Sequence, residues 1–574
     1  MCGIAALCAT QGDLGPGDRA ALERMAHAMR FRGPDAQGIT LSPRLGLAHT
    51  RLAIVDLDER SNQPIENDRW ILCYNGEIVN FQDLRAQLEG SYAFRTTSDT
   101  EVLLAALTEW GIEQTLPQIA GMFAFIAQDK TTGDVYAVRD QMGIKPLFIS
   151  KRENGVFAFA SSVRAILDGN DEPAPAINKR ALSSFFYLGA PFTRQTVHKG
   201  IDRVPPATCV HIAPDGSVQE RCFWRPRYTP DFTIEELVRI VREYQFADVP
   251  MALFLSGGVD STFLACATDN FDCFHLTSSE EPYAQQVAER FGRTFHSVEP
   301  SMEVYEDDFR RTLALHGEPL FSAGIPAAVS RKCAEMGYKV ALSANGADEL
   351  FGGYERTPMP ELKAFELPSY EQKAFDFFQD QFLHIFRHPD YLEFEWDAAD
   401  RVDLAQEAAQ FLGDCFLPDF PASASYRWFE LMSYVLHDLN PTLDAASMSH
   451  SLEVRVPFLD HRVVEGVLSM DANRLIDPEL GRKAPLKQHI IPFMGQEFLE
   501  RKKLGFSIDR NKLTAISEAA EKASYSLSSK AGVGLALNQD NPNVHRDKIY
   551  AKNALFAWGL WQQGLTSEQE TGHA

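Results

Sequence analysis

The 574-residue chain has no run of consecutive apolar residues approaching the about 18–20 that a membrane-spanning helix needs. Its start, Met1-Cys2-Gly3-Ile4, lacks the basic run and apolar stretch of a secretory leader, so a cytoplasmic protein without membrane attachment is expected. The nine cysteines include no CxxC pair and no repeated short spacing, which argues against a zinc site or a disulfide framework and for free thiols in a reducing compartment. Positive charge is scarce. Against 79 Asp and Glu stand 55 Lys and Arg, and the net charge of -24 disfavours unspecific binding of nucleic acid or an anionic membrane. Internal repeats are also lacking.

What is present is ordinary folded protein, with a hydrophobic fraction of 45% and a charged fraction of 23%. Single cores stop growing near about 250–300 residues, so two large domains are expected. Up to about residue 215 the pattern is mainly short β runs, at Gly3 to Cys8, Leu45 to Asp56, Trp70 to Tyr74, Met122 to Gln128, Asp134 to Arg139 and Val156 to Ala160. Helical spacing appears at Phe81 to Leu88 and Thr100 to Trp110, as for sheets covered by helices. The segment Phe223 to Asp231, rich in Pro and aromatics, reads as a linker, placing a boundary near 215–232. Beyond it helices and apolar strands alternate: Ile234 to Tyr244, Met251 to Leu255, Thr262 to Thr268, Cys273 to Leu276, Tyr283 to Phe291 and Val340 to Ser343. That alternation predicts a parallel sheet with crossover helices and ligands beyond the strand C-termini. From about 361 the sequence is largely helical and rich in Phe, and residues 510–574 carry no interpretable motif.

Removal of Met1 would make Cys2 the first residue, with its thiol beside its own free amine. That amine titrates near about 7.7–8.0 and a thiol near about 8.5, so the amine can act as a built-in base without a histidine. Alone, Cys2 would sooner be read as the first small apolar residue of a strand. It is followed, however, by Arg32-Gly33-Pro34-Asp35, His49-Thr50-Arg51-Leu52-Ala53-Ile54, Asn75-Gly76-Glu77-Ile78-Val79-Asn80 and Ser98-Asp99-Thr100-Glu101. In this order the segments closely resemble class II glutamine amidotransferases. The resemblance implies that Cys2 is the nucleophile, that Arg51 holds the glutamine carboxylate, that Glu77 and Asp99 hold its α-ammonium, and that Asn75 and Gly76 form the oxyanion hole. The chemistry is coherent: a planar guanidinium suits a carboxylate, two carboxylates suit an ammonium, and an amide beside a Gly N–H can stabilise a tetrahedral oxyanion. In isolation, Asn-Gly is usually a hairpin turn.

In the second half, Ser256-Gly257-Gly258-Val259-Asp260-Ser261 follows an apolar strand and opens a helix, directing backbone N–H groups and a positive helix end at an anion. The Lys of a GxxxxGK[ST] phosphate loop is missing, so this is not a kinase-type loop. It resembles the pyrophosphate loop of ATP-dependent adenylating enzymes. A second post-strand segment, Leu342-Ser343-Ala344-Asn345-Gly346-Ala347-Asp348-Glu349-Leu350-Phe351-Gly352-Gly353-Tyr354, resembles asparagine synthetases, as do Ser447 to Asp460 and Gly481-Arg482-Lys483-Ala484-Pro485-Leu486-Lys487. The match implies that Leu255, Ser256, Gly257, Gly258, Asp260, Ser261, Leu276, Ser343, Ala344 and Gly346 surround ATP. It further implies that Asp260 and Asp348 hold Mg2+ and that Lys483 meets the phosphates. Hard carboxylates with phosphate oxygens are what Mg2+ accepts. Three local alternatives stay open: Asp348-Glu349 as a solvated acidic turn, Arg482 in the place of Lys483, and Glu453 with Arg455 as a structural ion pair.

The resemblance covers residues 1 to about 505 and implies an α/β protein. An N-terminal αββα sandwich of the N-terminal-nucleophile type (1–215) would precede a parallel-sheet pyrophosphate-loop domain with a largely helical extension (233–574). It implies a glutamine-hydrolysing, ATP-dependent amide synthetase acting on a carboxylic acid, with a homodimer left open and no nucleic-acid or membrane partner. The family's Ser-Gly-Glu-Gly or Ser-Gly-Asp-Gly reads Ser343-Ala344-Asn345-Gly346 here, which removes an acid and a potential base. Aspartate is the acceptor the resemblance implies. Asn345 leaves another acid as the alternative, with weak use of free aspartate as its expected sign.

Overall fold

A computed structural model describes residues 2–171, 173–188, 194–354, 410, 411 and 413–500, with short stretches at 392–394, 535–537, 557, 560 and 561. Twelve strands build the first half: β1 (Cys2–Cys8), β2 (Ala36–Leu41), β3 (Leu45–Arg51), β4 (Ile65–Glu66), β5 (Trp70–Ile78), β6 (Gly121–Asp129), β7 (Val135–Arg139), β8 (Phe148–Lys151), β9 (Phe157–Ala160), β10 (Ile201–Arg203), β11 (Thr208–Ile212) and β12 (Val218–Cys222). They form two six-stranded antiparallel sheets, ordered β10-β8-β9-β1-β3-β2 and β12-β11-β7-β6-β5-β4. Ile4, Leu47, Cys73, Ala124, Ile126 and Phe159 pack between the sheets in a dry layer. The helix Pro16–Ala28 covers one outer face and Phe81–Leu88 with Asp99–Thr115 the other, giving the expected αββα sandwich.

Local chemistry explains where these helices begin. Pro16 occupies the first turn of its helix, and the Asp18 carboxylate accepts the Gly15 N–H. The Ser98 hydroxyl accepts the Glu101 N–H, which places Asp99 at the first helical position. Other boundaries differ from the sequence reading. β3 stops at Arg51, and the chain leaves the ladder for a loop in which Asp56 has a φ of 52°. Asn75 and Gly76 are no hairpin turn, for they lie inside β5, paired with Ala124 and Phe123 of β6. β2, β8, β10, β11, β12 and the helices Pro16–Ala28, Val163–Gly169 and Lys179–Leu188 had escaped the reading. β12 carries the first half's sheet past residue 215, within the interval 215–232.

The segment after β12 has no regular structure, yet the second half pins it. Trp224 Nε1 donates to Glu465 at 2.8 Å, and the Thr229 N–H to Ser469 Oγ at 2.8 Å. A Thr233/Glu236 capping box then starts the helix Ile234–Glu243. Five parallel strands follow: β13 (Met251–Phe254), β14 (Asp272–Leu276), β15 (Phe295–Val298), β16 (Val340–Leu342) and β17 (Glu453–Arg455), ordered β15-β14-β13-β16-β17. The order reverses direction at β13 and β16, which makes the space beyond their C-termini a topological switch point. Between 413 and 500 the described chain is mostly helical, including Ala422–Glu430, a π-helical Leu431–Leu439, Asn440–Met448, His461–Leu468 and Ala484–Met494. The remainder of the expected helical extension, and nearly all of 510–574, lies outside the described residues. Among those described, no helix is long and apolar enough to cross a membrane.

Arg427 shows how this region is held. Wholly buried, it donates to the carbonyls of Leu350, Val467, Leu468 and Met470, tying the segment that carries Asp348 to the end of the helix His461–Leu468. Burial alone lowers its pKa, to about 9. Arg427→Met would remove a buried donor from all four carbonyls, of which that of Val467 keeps the Met470 N–H at 3.1 Å. It should destabilise the fold on the order of 2–4 kcal/mol, read as a drop in the thermal unfolding midpoint.

Candidate active site

In the first half, β1 lies between β3 and β9, which sets Cys2 directly opposite Arg51. Cys2, Arg51, Tyr74, Gly76, Glu77 and Asp99 line one small pocket. The Cys2 N–H donates to Asn75 Oδ1 at 2.9 Å, and Asn75 Nδ2, fully buried, has no hydrogen-bond acceptor. A buried amide donor without a partner is costly unless something else satisfies it, and this one belongs to the side chain that accepts the Cys2 N–H. Gly76 is obligatory, because its φ is 155° and a Cβ there would fall 2.1 Å from the Met122 carbonyl oxygen. Asp99 accepts from Tyr74 OH at 2.7 Å and the Ile78 N–H at 3.1 Å.

Burial raises the Cys2 thiol pKa, and the positive amino terminus partly offsets it. Burial also raises Glu77 well above the usual carboxylate range, opposed by Arg455 and reinforced by Asp99 and Glu453; Asp99 is raised by burial too. Arg51 does more than sequence suggested. Its guanidinium donates to Asn62 Oδ1 at 2.7 Å and to the carbonyls of Asp58 and Asp56, so it also winds the 52–62 loop around the pocket.

In the second half, the two post-strand segments meet at the switch point. The loop after β13 is internally braced: Ser256 Oγ lies 2.9 Å from Ser261 Oγ and accepts the Gly258 N–H at 3.2 Å. Gly258 caps the helix Val259–Ala267, whose first turn carries Asp260. After β16, the Ser343 N–H donates to the Arg455 carbonyl at 2.9 Å, and Ser343 Oγ donates to Asn345 Oδ1 at 2.9 Å. Leu255 and Leu276 sit at the ends of β13 and β14, Ala344 and Gly346 in the second loop.

Lys483 draws these parts together. Its φ of 61° turns the chain at the start of the helix Ala484–Met494, and its Nζ lies 2.6 Å from both oxygens of Asp260 and in an ion pair with Asp348. Burial disfavours the ammonium, but the two carboxylates outweigh it and raise its pKa. The neighbouring Arg482 instead donates to the Gly352 carbonyl at 2.9 Å, so of the two it is Lys483 that faces the carboxylates. Asp348 is therefore not a solvated turn residue. Gly353 was missed by the sequence reading, although its place in Gly352-Gly353-Tyr354 was a signal. A Cβ there would fall 2.1 Å from both Asp348 Oδ1 and Lys483 Cε. Glu453 and Arg455 are an ion pair at 2.6 Å, and Arg455 also reaches Glu77. Asp260 and Asp348, which face one ammonium, form a hard-oxygen pair that suits Mg2+ if phosphate oxygens complete the shell. Among the described residues no three His, Cys, Asp or Glu converge as a metal cluster of their own.

An N-terminal-nucleophile sandwich with a cysteine at its pocket, joined to a parallel sheet with a glycine-rich loop at its switch point, defines a two-site amidotransferase and synthetase. Residues 1–224 match the model for the glutamine amidotransferase domain and residues 233–546 that for asparagine synthase. The chain belongs to the asparagine synthase family and is in class a glutamine-hydrolysing, ATP-dependent ligase. It is 30% identical over 541 residues to asparagine synthetase [glutamine-hydrolyzing] 1 of Bacillus subtilis, covering 85% of this chain and 83% of the relative. Asparagine synthetase B of Escherichia coli is 30% identical over 384 residues, 62% of this chain and 65% of that one. A solved glutamine phosphoribosylpyrophosphate amidotransferase from B. subtilis is similar at 16% identity with a TM-score of 0.29, over 51% of this chain and 65% of that one, too low to carry an argument.

The unpartnered Asn75 amide generates a prediction. Asn75→Ala should lower the kcat of glutamine hydrolysis by about 10²–10³-fold, measured as glutamate release at saturating glutamine.

Proposed function

We propose that the protein makes asparagine, taking the nitrogen from glutamine in the first pocket and activating aspartate with ATP in the second. The observation that carries this reading is Lys483 bridging Asp260 and Asp348 at the switch point, in one chain with the Cys2 pocket. Cys2, freed of Met1, attacks the glutamine amide carbon while its own amine takes the thiol proton. Asn75 Nδ2 and the Gly76 N–H receive the oxyanion, Arg51 the substrate carboxylate, and Glu77 with Asp99 the α-ammonium. Ammonia leaves from the tetrahedral intermediate, and water then releases glutamate from the thioester.

In the second site the backbone around Ser256–Ser261, with Ser343, Ala344, Gly346, Leu255 and Leu276, receives ATP. Asp260 and Asp348 would hold Mg2+, which supplies charge neutralisation on the phosphates. An aspartate side-chain oxygen attacks the α-phosphorus and pyrophosphate leaves, with the Lys483 ammonium stabilising the charge that develops on it. Ammonia arriving through the interior attacks the acyl-adenylate, giving asparagine and AMP. Aspartate is favoured over the alternative acid because relatives over most of both halves are named asparagine synthetases. The neutral Asn345, held by Ser343, then works without the family's acid.

Two partial reactions test the scheme. Cys2→Ala should abolish glutamine-dependent synthesis yet keep most of the synthesis supported by ammonium salt. Asp348→Ala should stop aspartate-dependent pyrophosphate release while glutamine hydrolysis persists. Loss of both activities in either folded variant would refute the division of labour, and pyrophosphate release driven better by another acid than by aspartate would refute the acceptor.

A pH dependence also follows. Glu77 attracts an ammonium only when ionised, and burial with the Asp99 and Glu453 charges raises its pKa despite Arg455. The KM for glutamine should therefore rise as pH falls, beginning above the about pH 4–5 where an ordinary glutamate titrates. A KM flat down to pH 5 would contradict the assignment of Glu77.

A further inference from the structure

Arg455 belongs to the synthetase half, at the end of β17, yet its side chain ends at the glutamine pocket. Fully buried, it spends its guanidinium on four acceptors: Glu453 Oε1 at 2.6 Å, the carbonyls of Tyr244 at 2.8 Å and Phe246 at 2.7 Å, and Glu77 Oε2 at 2.8 Å. The other Glu77 oxygen, Oε1, is buried without a hydrogen-bond partner in a residue that lines the pocket with Cys2, Arg51 and Asp99. One carboxylate oxygen is thus held from behind by a fixed cation, and the second is left for whatever enters. That cation opposes the proton uptake that burial and two neighbouring carboxylates favour at Glu77, and so favours the charged form that attracts an ammonium.

We propose that Arg455 is a positioning residue of the glutamine site, supplied by the synthetase half. It holds Glu77 by Oε2 and aims Oε1 at the α-ammonium, so selection of glutamine depends on the two halves being docked. The inference rests on Glu77 being an ammonium acceptor. The Arg455 backbone is tied as well, because its carbonyl accepts the Ser343 N–H at the first residue of the second nucleotide loop.

The test compares hydrolysis of glutamine with that of 4-carbamoylbutanoate, which is glutamine without its α-amino group, as a ratio of kcat/KM values. In Arg455→Met the ratio should fall about tenfold or more, mainly through a higher KM for glutamine, with the desamino substrate little changed. Arg455→Lys keeps a cation, is the safer variant to fold, and should fall part of the way. Synthesis supported by ammonium salt, assayed on the same preparations, reports that the synthetase half is intact. Equal loss on both substrates, or an unchanged ratio in a folded variant, would show that Arg455 only clamps the halves together. Glu77→Gln separates the two ideas: if it collapses the ratio while the Arg455 variants do not, the inference alone fails. If Glu77→Gln also leaves the ratio unchanged, the assignment of Glu77 fails and takes the inference with it.

Discussion

Among the described residues, buried guanidinium–carboxylate contacts cross between the halves, and two of them, with almost no access to water, brace the Cys2 pocket. Arg32 donates to the Cys2 carbonyl at 3.1 Å and pairs with Asp444 at 2.8 Å, while Arg455 pairs with Glu77 at 2.8 Å. Buried ion pairs add little net stability over a well-packed apolar contact, because desolvation offsets the attraction. Breaking one is costly, since it strands a charge, and so such pairs fix one docking geometry and penalise every other. Around them a shared apolar cluster joins the halves, with polar and aromatic contacts beside it. The Lys339 ammonium reaches Asp35 at 2.7 Å, Ser451 donates to the Phe31 carbonyl at 2.6 Å, and Phe81 meets Phe246 edge to face with ring centroids 4.9 Å apart.

The two halves use different devices to place chemistry. The sandwich puts Cys2 at the end of a central strand, paired with Arg51 of β3 on one side, while β9 pairs the same strand from Ala5 onward on the other. Asn75, Gly76 and Glu77 lie in β5 and Asp99 in the first turn of a capped helix. The synthetase half uses loops, and rigidity there comes from the loops' own hydrogen bonds and from Lys483, whose charge collects two carboxylates from separate segments.

The strand–loop–helix pattern around Ser256, the second loop after Val340, the helix Phe81–Leu88 and the linker were legible because each is set by short-range chemistry: hydrophobic period, Gly conformational freedom and capping. The edge strands β2, β10 and β12 and their neighbours β8 and β11 were not, since short strands near sheet margins carry little periodic signal. Asn75-Gly76 shows local preference overridden. The pair favours a turn by itself, but nine residue pairs between β5 and β6 hold it in the ladder.

By itself, then, the sequence determined the class of fold and the pairing of an amidotransferase part with a synthetase part, and it nominated the residues of both candidate sites, because those follow from local backbone chemistry and from motifs that occur in order. Only the tertiary structure decided that Arg51 shapes the pocket loop, that Lys483 rather than Arg482 faces the carboxylates, and that Glu77 is held by Arg455. Glu77 and Arg455 stand 378 positions apart. A contact at that separation leaves no trace in spacing or composition, and its strength comes from the exclusion of water, which exists only once both halves have packed.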